Sequence, residues 1–187
     1  MSTFLKMENP LSQVVVDFLN SVGLPVTVVP GTNGFIPDVT IVNGELHVDP
    51  NCRPSGILHE AGHLAVIPQK YRTWFSGNLS IGWKRVLEDA DILTLEPDHP
   101  TSRALMQAGD PEVTAWAWAV GKHLGMPDES IIRDDEYQNG GEVLRMQLNA
   151  HAYIGINGLS HGGFCVRRAN QYTNRPEYPL LQFWLQP

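Results

Sequence analysis

His59-Glu60-Ala61-Gly62-His63 sets two imidazoles four residues apart, with a carboxylate directly after the first. On a helix, residues four apart share a face and stand about 6 Å apart along the axis, so both rings can be aimed at one cation. Glu60 is rotated by about 100° from His59, which places it beside the ligand pair, where a base could take a proton from water on that cation. Zinc at a three-ligand site lowers the pKa of its water toward about 7, and a neighbouring carboxylate then makes that water a nucleophile at neutral pH. Amide hydrolysis is the usual use of this arrangement. The spacing predicts a zinc (Zn2+) peptidase with Glu60 as catalytic base.

A catalytic zinc needs a third protein ligand. Glu112 is the first candidate, in the first turn of a helix that Asp110-Pro111 opens. Ala115, Ala117 and Ala119 keep that helix thin, and Ala61, Gly62 and Ala65 do the same for the motif helix, so the two can approach closely. An acidic first-turn residue also favours the helix dipole with no metal at all. Glu88 is the rival ligand, and Asp89 or Asp91 could instead orient a ligand histidine through its second ring nitrogen. Cys52, seven residues before His59, would block the water as a thiolate ligand, and is read as a buried inert cysteine. His161, in Ser160-His161-Gly162-Gly163-Phe164, is placed as a second catalytic group that stabilises the oxyanion across the cleft, with Tyr137 and Tyr153 as alternatives. Trp116 and Trp118 read as packing.

The elements that must position these groups follow from hydrophobic periodicity. Leu11 to Val22 has helical spacing and stops at Gly23 and Pro25. Val26 to Val29 is a short β-branched run, and Val39 to Val48 has the pattern of a hairpin turning at Asn43-Gly44. Ser55 is the expected N-cap of the motif helix, which Pro68 ends near Ile67. Further helices are expected over Trp83 to Leu95, from Asp110 as N-cap to Leu124, and in short pieces near Gly141 to Ala150 and Pro179 to Leu185. Strands first and helices afterwards argue for an α+β fold, a small antiparallel sheet on a helical bundle with the motif on a central helix.

At 187 residues and 42% hydrophobic content the chain can bury one sizeable core, so a single domain over residues 1–187 is expected. The 13 basic against 20 acidic residues give a net charge of −7, a field that repels a phosphate backbone. The longest basic spots, Lys84-Arg85 and Arg167-Arg168, are too short to track nucleic acid. Two cysteines make no disulfide framework, and neither a signal peptide nor a membrane span is legible, so the expectation is a cytoplasmic protein acting on a peptide or protein substrate.

His59-Glu-Ala-Gly-His63-Leu64, preceded by the hairpin and followed by Glu112-x-x-Ala115-x-x-Trp118-Ala119 and Met126-Pro127, resembles the ImmA/IrrE-like zinc metallopeptidases. The resemblance covers roughly residues 39–127. It implies a zincin-like fold with His59, His63 and Glu112 as zinc ligands and Glu60 as base. The chain differs in having Trp116 after Ala115 and no legible helix-turn-helix module, so cleavage of a repressor is not carried over. Two other readings remain open: a zinc protein that is not a peptidase, either a small-amide hydrolase or an inactive binding module, and a metal-free interaction domain.

Overall fold

In the computed structural model, which describes residues 5–187, helix α1 (Pro10–Ser21) is followed by strands β1 (Val26–Val28), β2 (Val39–Val42) and β3 (Glu45–Val48). Asn43 and Gly44 turn the β2–β3 hairpin with φ of 49° and 81°, the left-handed pair that a tight two-residue turn requires. The hairpin is antiparallel, pairing Val42 with Glu45 and Val39 with Val48. The expected all-antiparallel sheet is corrected by β1, which pairs in parallel with β3 and gives the order β1-β3-β2. Ten residues separate β1 from β2, enough for the chain to cross over and leave β1 at the far edge. Val39, Ile41, Leu46 and Val48 are buried, so one face of the hairpin belongs to the core.

The motif lies on α2 (Pro54–Ala65), packed between the sheet, α1 and helix α6 (Asp110–His123). Pro54 takes the first helical position, where its fixed φ fits and its missing N–H costs nothing. Ser55 is therefore inside the helix and does not cap it. Its hydroxyl donates instead to Glu136 Oε1 at 2.6 Å. At the other end Arg72 Nε donates to the carbonyls of Leu64 (3.0 Å) and Ile67 (3.2 Å), and the Gln186 N–H reaches Ala65 O at 2.8 Å. These donors satisfy carbonyls that a helix end leaves unpaired.

The stretch read as one helix over Trp83 to Leu95 is two, α3 (Leu79–Leu87) and α4 (Ala90–Leu93), because the Asp89 side chain accepts the Asp91 N–H and starts a new turn. Helix α5 (Pro100–Met106) precedes α6, and α7 (Asp128–Ile131), α8 (Gly141–Asn149) and α9 (Gly155–His161) follow. Residues 179–185, expected as a short helix, run without regular structure after a cis Tyr178–Pro179 bond. The α+β class stands. Among the described residues no helix is long and apolar enough to cross a membrane.

The thin faces of α2 and α6 do meet. A Cβ on Gly62 would sit 2.7 Å from Val113 Cγ1 and 3.1 Å from Val113 O. Gly62→Ala is accordingly expected to cost about 1–3 kcal/mol through overpacking. Denaturant unfolding measures this, and an unchanged midpoint would mean that the two helices can part freely.

Candidate metal centre

Because α2 is regular through the motif, His59 and His63 share a face, with ring centroids 5.0 Å apart. One donor atom each from His59, His63 and Asp110 lie within 4.8 Å of one another. His63 Nε2 and Asp110 Oδ1 are 3.5 Å apart, too far for a hydrogen bond and suited to two ligands on one cation. Burial lowers the pKa of both rings, taking His63 down to about 4 with the neighbouring His59 adding to the effect. Neutral imidazoles keep a lone pair at pH 7, as metal binding demands. The donor set of two imidazoles and a carboxylate is one that zinc accepts.

Asp110 takes the place expected of Glu112. Gly109 is the N-cap of α6, so Asp110 is the first helical residue and its side chain, 77% exposed, is free of capping duty. Glu112 is buried, and its Oε2 accepts the Gly109 N–H at 3.1 Å. It also lies against α9, where a Cβ on Gly158 would fall 2.0 Å from Glu112 Oε1. The two acids have exchanged the roles expected for them: Glu112 serves the helix end, and Asp110 faces the histidines. Glu88 and Asp89 are cap residues of α3 and α4 and are not among the clustered donors, and Asp91 pairs with Lys70.

Glu60 stands next to His59 and is 7% exposed. Burial, followed by the negative charge of Asp110, pushes its pKa up to about 7. A carboxyl poised there can take up a proton and release it at neutral pH. Cys52 is buried, its thiol raised to about 12 chiefly by burial, and it is not among the three clustered donors.

His161 does not reach this centre. It ends α9 as an exposed residue, its carbonyl accepting from Arg103 at 2.8 Å, and it lines neither cavity described below. The group that does approach is Tyr137, whose hydroxyl lies 3.3 Å from His59 Nδ1 and 3.1 Å from Thr114 Oγ1. Tyr137, Gln138 and Asn139 all have positive φ (54°, 60° and 64°), an uncommon run for residues other than glycine. Sequence gives no warning of such a run beyond the Asn139-Gly140 turn signal.

Two cavities of about 760 Å³ each meet at the centre, sharing Phe35, His59 and Asp110. One arm has an apolar wall at Phe35, Ile36 and Pro37 and charged or polar groups at Asp38, Arg53, Glu136 and Tyr137. The other runs along edge strand β2 past Glu60 and His63 to Leu79 and Trp83. Phe35 stands fully exposed where they join.

No family model matches the chain, and no curated protein or solved structure does either. The likeness to ImmA/IrrE-like peptidases accordingly rests on the motif residues themselves, and the carboxylate that lies with the two histidines is Asp110, whereas Glu112 is the one the motif contains.

Proposed function

We propose that the protein is a zinc-dependent peptidase in which His59, His63 and Asp110 hold the ion and Glu60 is the base. The observation that carries the reading is the convergence of those three donors within 4.8 Å beside a buried carboxylate at the junction of two open cavities. Zinc bound there supplies Lewis acidity, lowering the pKa of water and polarising a carbonyl. Glu60 accepts the proton of the attacking water and returns it to the leaving amine, a shuttle open to a buried carboxylate directly beside the ligand His59. Val39, Thr40 and Ile41 of β2 border the same arm as Glu60, so a substrate segment in that arm passes the strand, whose Ile41 carbonyl is already taken by the Gly77 N–H. Phe35 offers the segment an apolar contact where the arms join.

A closed, purely structural zinc site needs a fourth protein donor. Among the described residues the cluster has three, and Asp110 is open to solvent, which favours a working site over an inert one. The test is the zinc content of protein purified without a metal-binding tag, together with cleavage of a mixed peptide library. About one zinc per chain is expected, with cleavage abolished by a chelator and restored by zinc. A chain that stays metal-free when zinc is supplied sinks the proposal.

A further inference from the structure

A histidine can bind a metal through Nε2 only if its remaining proton sits on Nδ1, so whatever meets Nδ1 decides whether the ligand is ready. In His59 that partner is the Tyr137 hydroxyl, at 3.3 Å. A phenol is an ambiguous partner, because it can donate to Nδ1 as well as accept from it. If Tyr137 donated, Nδ1 would be the acceptor nitrogen and Nε2 would carry the proton, leaving no lone pair for a cation. The Tyr137 hydroxyl has one hydrogen, and its other neighbour is Thr114 Oγ1 at 3.1 Å. Thr114 lies one turn beyond Asp110 on α6, and a helical threonine hydroxyl can give its own proton to a carbonyl of the preceding turn, which leaves Oγ1 to accept.

We infer that Thr114 and Tyr137 are positioning residues that set the tautomer of His59: Tyr137 donates to Thr114 and accepts from His59 Nδ1–H, which keeps the Nε2 lone pair available. The backbone is arranged to hold the phenol there. Tyr137 begins the left-handed run of three residues, and Glu136 just before it is anchored on both oxygens, by Ser55 of the motif helix at 2.6 Å and by the Arg133 N–H at 3.0 Å. Strain kept beside a site requires such anchoring. One helix thus supplies two parts of the centre, a ligand at Asp110 and the proton acceptor that orders His59 at Thr114.

The inference rests on the zinc reading above, but its primary readout needs no metal. In ¹⁵N-labelled metal-free protein at neutral pH, the ring shifts of His59 are expected to report Nδ1–H in the wild type. Thr114→Val removes the acceptor, so Tyr137 turns its hydrogen to His59 and the ring switches to Nε2–H. Zinc affinity, measured by competition with a chromophoric chelator, then falls about ten- to a hundredfold. Thr114→Ser restores both. Thr114→Val combined with Tyr137→Phe binds zinc more tightly than Thr114→Val alone, because the competing donor has gone. That recovery is the sign a merely structural role for Thr114 would not produce.

A wild-type His59 in the Nε2–H form, or one whose tautomer is the same in Thr114→Val, overturns the inference. So does a double variant no better than the single in zinc binding. A wild type that binds no zinc refutes the proposed function instead, and leaves the tautomer measurement to decide the hydrogen-bond order by itself.

Discussion

Glu60→Gln is expected to lower kcat about a hundred- to ten-thousandfold while the protein keeps its zinc. The amide has the size and shape of the carboxylate but cannot take a proton from water. Because Glu60 is 7% exposed and burial already disfavours its charge, a neutral replacement sacrifices no solvation. Stability should therefore be unchanged or slightly raised, and zinc content should match the wild type, since Glu60 is not among the three clustered donors. Turnover, metal content and thermal midpoint on the same preparation separate the possibilities. A kcat close to wild type would remove Glu60 from the chemistry, whereas loss of zinc would make it a ligand.

Asp110→Asn and Glu112→Gln form a pair with opposite outcomes. Asp110 contributes a donor atom, and its loss should weaken zinc binding by more than the roughly hundredfold limit seen for groups that only orient a ligand. Its exposure means the fold barely registers the change. Glu112→Gln should keep the zinc and change stability little, because the amide oxygen still accepts the Gly109 N–H and the charge that is lost is one burial already disfavours. Chelator competition and denaturant unfolding on both variants measure the two effects. Zinc lost from Glu112→Gln and retained by Asp110→Asn would reverse the assignment of the third ligand.

This pair also marks how far the sequence could be read. Gly109-Asp110-Pro111-Glu112 contains two acids and two tasks, a cap and a ligand. Taking Asp110 as N-cap left Glu112 for the metal. Moving the cap to Gly109 puts Glu112 at the third helical position, where a glutamate reaches back to the N-cap N–H, and frees Asp110. The shift is one residue, within the ordinary uncertainty of a helix boundary, yet it exchanges the chemistry of two side chains. Elements with local causes were legible: the Asn43-Gly44 turn, the stop of the first helix at Gly23, and the thin faces of α2 and α6.

What depended on distant partners was not legible. The parallel place of β1 follows from the route of the 29–38 connection, which no periodicity encodes. Helix α9 contains glycines that argue against a helix by propensity. They are there for proximity: Gly155 meets Pro111 O and Gly158 meets Glu112, closer than any Cβ would permit. His161 was therefore read in a glycine-rich loop at the site when it ends a helix outside it. Tyr137 was weighed as an oxyanion donor, but its nearest polar partners are His59 and Thr114.

The left-handed run at Tyr137, Gln138 and Asn139 also bears on how this protein could be made sturdier. That conformation costs about 1–2 kcal/mol for most residues with a Cβ, and less for asparagine, whose short polar side chain adopts it more readily. Typical domains keep only about 5–15 kcal/mol of net stability, so three such residues in succession are a large concession. Screening for heat resistance alone would favour glycine at these positions, and the same substitutions would slacken the segment that carries the phenol to His59. If His59 is the zinc ligand proposed above, heat resistance and a ready ligand pull in opposite directions at these three residues.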